Sequence, residues 1–100
     1  MASDLEVIWT DEASRNLNNI VHYLQTEWTI KEVNKFFLKL NKVISLIAKK
    51  PQLFRMTSER RGLRKCVLTK HTSIFYIHVD AKIFIISLFD NRQDPKKTPQ

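Results

Sequence analysis

Apolar and polar positions divide the chain into a helical half and a strand half. Near the start, Leu5-Glu6-Val7-Ile8-Trp9-Thr10 alternates weakly and is rich in β-forming side chains, which predicts a first strand. Thr10 stands where an N-cap belongs, and Asp11 and Glu12 follow in the first turn, where they oppose the helix dipole. Ala13, Leu17, Ile20, Val21, Leu24 and Trp28 then keep to one face of an α-helix. Thr29 and Glu32 have the spacing of a capping box. They open a second helix with the stripe Val33, Phe36, Phe37, Leu40, Val43, Ile44 and Ile47, and with Lys31, Lys35, Lys39 and Lys42 along much of its other side. Pro51 stops it, because proline lacks an amide hydrogen and clashes with the preceding turn. Helices joined by so short a connection must be antiparallel neighbours, with Trp28, Phe36 and Phe37 expected in the core.

The period then changes to two. Phe54-Arg55-Met56 is a short strand candidate, and Ser58 to Gly62 is a charged loop containing the only glycine. Leu63 to Thr69, Thr72 to Val79 and Ile83 to Phe89 read as strands, joined by Lys70-His71 and Asp80-Ala81-Lys82. The third is apolar on both faces, as a central strand is. On 72–79, Phe75, Ile77 and Val79 make one purely apolar side, expected against the helices, which turns Ile74, Tyr76 and His78 outward. The order β-α-α-β-β-β predicts an α+β fold: an N-terminal strand and an antiparallel two-helix hairpin packed on a twisted antiparallel sheet. One domain over 1–100 is expected, with 94–100 a frayed tail.

Charge adds the first functional information. The net charge is +7, and it is unevenly spread. Residues 1–29 carry one basic and five acidic side chains, whereas 30–100 carry sixteen basic and five acidic ones. The second part therefore has a net +11, a field suited to a polyanion or an acidic protein surface. The apolar runs are far too short to span a bilayer, and no secretory signal pattern opens the chain. A lone cysteine, Cys66, makes no internal disulfide. The expectation is a cytoplasmic protein with no membrane partner.

Cys66, His22, His71 and His78 form no metal-ligand spacing, and one glycine cannot build a phosphate-cradling loop. No metal and no cofactor is expected. A sheet face bearing Arg64, Tyr76 and His78 suits binding of a phosphodiester, or RNA cleavage by phosphate stabilisation and proton transfer. Its structural alternative is a half-exposed face with polar tips reaching solvent.

The stretch V-I-W-T-D-E-A-x-x-x-L-x-x-I (Val7 to Ile20) resembles the start of RelE/ParE-type toxins of bacterial type II toxin–antitoxin modules, also called plasmid-stabilisation proteins. So do the second amphipathic helix ending in Lys50-Pro51, the strand reaching Tyr76, and the closing Leu88-Phe89-Asp90-Asn91-Arg92-Gln93-Asp94-Pro95. The resemblance covers roughly 5–95 and implies a cognate antitoxin, in a toxin–antitoxin hetero-oligomer. It also implies one of two targets. RelE-like members cleave ribosome-bound mRNA without a metal, using basic residues on the sheet and an acid–base group near the C-terminus. ParE-like members act on DNA gyrase and lack that set.

Arg64 matches one sheet base of the nuclease branch, and Cys66 stands where a second would be. Ser73 stands where many members have arginine. Tyr76 matches the last tyrosine of an aromatic-Arg-apolar-x-Tyr pattern, and Arg92 resembles an arginine common to both branches. The catalytic candidates are thus Arg64, Tyr76 and Arg92, and the target-binding candidates Arg60, Arg61, Arg64, Lys65, Lys70 and Arg92. The leading expectation is a ParE-like growth inhibitor neutralised by its antitoxin. The alternatives are a RelE-like mRNA endonuclease and a non-toxic basic nucleic-acid-binding module.

Overall fold

The computed structural model describes residues 5–58 and 60–92. Strand β1 (Glu6–Trp9) leads into helices α1 (Asp11–Glu27) and α2 (Ile30–Lys49). A single 3-10 turn at Pro51–Leu53 follows, then β2 (Arg64–Val67), β3 (Thr72–Val79) and β4 (Lys82–Asp90). The tail expected at 94–100 lies outside the described residues.

Both helix starts follow the capping chemistry. The Thr10 hydroxyl accepts from the Ala13 amide at 3.1 Å, and the Thr29 hydroxyl from the Glu32 amide at 3.3 Å. The strands form one sheet in the order β1-β4-β3-β2. β2, β3 and β4 are antiparallel neighbours, whereas β1 runs parallel to β4, so the sheet is mixed rather than wholly antiparallel. The central position of β4 explains its two apolar faces. Phe54-Arg55-Met56 is not a full strand: only a bridge from Met56 to Arg64 forms there.

The core packs the helices on one sheet face. Ala13, Ile20 and Leu24 of α1 and Val33, Phe36, Leu40 and Ile47 of α2 meet Cys66, Ile74, Tyr76, Ile83, Ile85 and Leu88. The expected orientation of β3 is therefore reversed. Ile74 and Tyr76 are fully buried against the helices, while Phe75 and Ile77 are half-buried on the far face and Val79 is exposed there. Alternation fixes which residues share a side, not which side faces in. Here polar tips find partners inside: the Tyr76 hydroxyl donates to the Pro51 carbonyl at 2.7 Å, and Thr72 on the same side reaches Asp90. Trp28, expected in the core, is 48% exposed because α1 ends at Glu27 and the chain turns away.

Leu40 is buried and Phe37 only half-buried. Leu40→Ala should cost about 2–5 kcal/mol and Phe37→Ala clearly less, read from urea unfolding midpoints. Equal losses would contradict this packing.

Candidate target-binding surface

One end of the molecule brings together the α1–α2 junction, the β2–β3 turn and the end of β4. A cleft of about 320 Å³ opens there. Leu24, Phe36 and the half-exposed Trp28 give it an apolar lining. Lys35, Lys39, Lys70, His71 and Arg92 also line it, with Glu32 as the one carboxylate.

Hydrogen bonds fix several of these donors. Buried Asp90 accepts from the Thr72 hydroxyl at 2.7 Å, from the Arg92 amide at 2.8 Å, and from Arg92 Nε and Nη2 at 3.2 and 2.9 Å. Arg92 also lies 5.7 Å from the centre of the Tyr23 ring. Burial of Asp90 disfavours its charge, but the bonds from Arg92 and Thr72 together outweigh that and hold its carboxyl below the ordinary value. The bond to Asp90 is likewise the main cause that raises Arg92. The Thr69 hydroxyl accepts from the amides of His71 and Thr72 and shapes the turn. His71 Nδ1 lies 3.0 Å from the Asn91 side-chain oxygen.

The predicted site residues separate. Arg92 and Lys70 meet in this cleft. Arg60 and Arg61 are exposed on the loop before β2. Lys65 points to the opposite sheet face, its ammonium 5.9 Å from the Phe75 ring centre. Arg64 turns inward and donates to the Phe54 carbonyl at 2.7 Å. Tyr76 does not face outward as expected. Burial pushes its hydroxyl up to about 12, and burial also pushes the Cys66 thiol up to about 11. Tyr76 and Cys66 therefore stay protonated at neutral pH. The sequence reading missed Asp90 as the anchor of Arg92. The signal available was an acid two residues before the arginine at the end of an apolar strand. Among the described residues no cluster of three or more metal-ligating side chains occurs.

This arrangement is found in a sequence that matches the ParE toxin of type II toxin–antitoxin system family over residues 7–95, and the chain belongs to that family. A search of curated protein sequences returned no significant match. The fold is similar to a chain of the chromosomal ParDE toxin–antitoxin system from P. aeruginosa, with TM-score 0.73, 17% identity, and coverage of 86% of this chain and 95% of that one. It is also similar to the YoeB dimer structure from Staphylococcus aureus, with TM-score 0.61, 18% identity, and coverage of 87% and 97%. A third likeness is to the E. coli DinJ–YafQ toxin–antitoxin complex, with TM-score 0.60, 8% identity, and coverage of 90% and 96%. The protein is the toxin component of a type II module.

Because the folded Asp90 carboxyl lies below its ordinary value, its ionised form stabilises the fold at neutral pH. That contribution is lost as pH falls from the ordinary carboxylate range through the depressed folded value. Asp90→Asn should cost about 2 kcal/mol at pH 7. The gap to the unmutated chain should close as unfolding is measured at successively lower pH from about 4 downward. A gap that widens on acidification would reverse the assignment.

Proposed function

We propose that this toxin arrests growth by acting on DNA gyrase rather than by cutting mRNA, and that an acidic antitoxin segment holds it inactive. The observation that carries this reading is the withdrawal of the nuclease-like residues. Arg64 is bonded to the Phe54 carbonyl, Tyr76 to the Pro51 carbonyl, and Cys66 is buried where a sheet base would stand. A developing phosphorane charge needs preorganised donors, and loss of one typically costs ~10²–10³ in rate. Exposed Lys70 and Lys35 remain available in the cleft as charged anchors for a protein target, beside an Arg92 held by Asp90. The antitoxin reading is supported by family membership and by the toxin–antitoxin complexes among the structural neighbours. The net +11 of residues 30–100 suits an acidic segment that folds as it docks.

The Asp90 contacts shape the test. Arg92→Ala would leave a buried carboxylate without its main partner, so lost toxicity would be confounded by lost stability. Lys70→Gln combined with Lys35→Gln removes two exposed cleft charges and leaves the Asp90 and Thr69 hydrogen bonds intact. Induced in cells, the unmutated chain should raise a DNA-damage response while leaving A-site mRNA uncut. The double variant should lose most of its toxicity at an unchanged melting temperature, and Tyr76→Phe should remain toxic. Codon-specific mRNA cuts that disappear in Tyr76→Phe would place the chain in the nuclease branch instead. Association with the antitoxin should slow steeply with added salt.

A further inference from the structure

The α2 wall of the basic cleft changes charge along its length. Glu32, Lys35, Phe36 and Lys39 all line the cleft, and spacings of three, four and seven put them on one face of the helix. The wall therefore runs from a carboxylate near Trp28 to two ammonium groups further along. The Thr29 hydroxyl, next to Trp28, accepts from the Glu32 amide and keeps the two residues together. Lys70, His71 and Arg92 close the cleft from the sheet side. Among the described residues the one ion pair is that of Arg92 with Asp90, so no carboxylate lies within ion-pair distance of Lys35, Lys39 or Lys70. The sheet side is already ordered: Thr69 holds the β2–β3 turn, and Asp90 holds Arg92 through its Nε and Nη2. An anion arriving there requires little further ordering. The cleft volume of about 320 Å³ falls in the range of small-molecule sites.

We propose that this cleft binds a free purine nucleoside triphosphate, with the base stacked on Trp28 and the phosphates among Lys35, Lys39, Lys70 and Arg92. Three features select this ligand. Trp28 is half-exposed beside apolar Leu24 and Phe36, which leaves indole surface for a flat ring, and a purine covers more of it than a pyrimidine. A triphosphate carries several negative charges to match three ammonium groups without carboxylate partners, whereas one acidic side chain matches only one. Glu32 stands at the Trp28 end, where it accepts an N–H of the base rather than repelling the phosphates. The absence of a glycine-rich loop is no obstacle, because lysine and arginine side chains take the place of backbone amides. The proposal goes beyond the gyrase reading and does not rest on it, because binding is read on the purified chain with no target present.

The test is isothermal titration of the full chain with ATP and with GTP, alongside sodium triphosphate and a hexaglutamate peptide. Saturable one-to-one binding of a nucleotide is expected, roughly tenfold or more tighter than that of triphosphate, because stacking adds to the charge contacts. Trp28→Leu should weaken nucleotide binding roughly tenfold and leave triphosphate binding unchanged, while Trp28→Phe keeps the nucleotide. Lys35→Gln with Lys39→Gln should weaken nucleotide and triphosphate together. Lys42→Gln with Lys49→Gln, an equal charge loss on α2 outside the cleft, should change neither. If Trp28→Leu fails to fold, the two lysine pairs and the comparison of nucleotide with triphosphate decide the matter. The proposal is overturned by absence of saturable nucleotide binding, by triphosphate binding as tightly as either nucleotide, by equal effects of the two lysine pairs, or by indifference to Trp28→Leu in the folded variant. Hexaglutamate binding more tightly than either nucleotide overturns it in favour of an acidic protein segment.

Discussion

One irregularity in β4 organises the molecule. Phe75 pairs with Ser87 but Tyr76 with Ile85, so Ile86 is an extra residue with no partner on β3. A bulge of this kind reverses the alternation beyond it. Ile83 and Ile85 face the helices before the bulge, and Leu88 and Asp90 face them after it. Helix α1 holds the irregular stretch in place. The Thr10 hydroxyl donates to the Ile85 carbonyl at 2.8 Å, with the Ile86 carbonyl at 3.0 Å as the alternative acceptor. The Asn16 side-chain oxygen accepts from the Leu88 amide at 3.0 Å, past the point where β1 has ended. One threonine therefore caps a helix and fastens a bulge.

The consequences reach the basic cleft. Without the bulge, strict alternation from Ile85 would turn Asp90 to the open face, and Thr72 and Arg92 would lose their common acceptor. The buried carboxylate links the β2–β3 turn to the end of β4, and the cleft donors Lys70, His71 and Arg92 lie on those two segments. Removing solvent from Asp90 is costly, and four hydrogen bonds offset it. Among the described residues the opposite sheet face shows no such network, and its Lys65 ammonium lies over the Phe75 ring. The two faces thus present different chemistry: preorganised donors on one side, and aromatic rings beside an exposed cation on the other.

Much of the architecture was legible in residue patterns. Thr10 with Asp11 and Glu12, Thr29 with Glu32, and Pro51 marked the helix limits through local backbone chemistry, which needs no tertiary information. The apolar run 83–89 marked the central strand. The side that β3 turns inward was not legible, because both of its faces are apolar enough to be buried. It depends on Tyr76 reaching the Pro51 carbonyl and on Thr72 reaching Asp90, contacts 25 and 18 residues apart. The parallel pairing of β1 with β4 joins opposite ends of the chain and leaves no local trace. Of the site, Arg92 and Lys70 were found from charge and resemblance. Lys65 was named, but its position on the far face follows from register. Asp90 was missed because a carboxylate on a strand ordinarily reads as solvent-facing.

Cys66 gives the fold a native reporter of its own opening. Its thiol is 1% exposed on β2, beside Ile74 on the sheet face that packs against the helices, and burial pushes its pKa up to about 11. A thiol in that state reacts with an alkylating reagent only after the packing around β2 has opened, because both access and ionisation are denied in the closed form. With no second cysteine in the chain, the labelling signal comes from a single site. Its rate therefore measures how often the core around β2 opens. A partner that clamps β2 would slow the labelling even where global unfolding is unaffected.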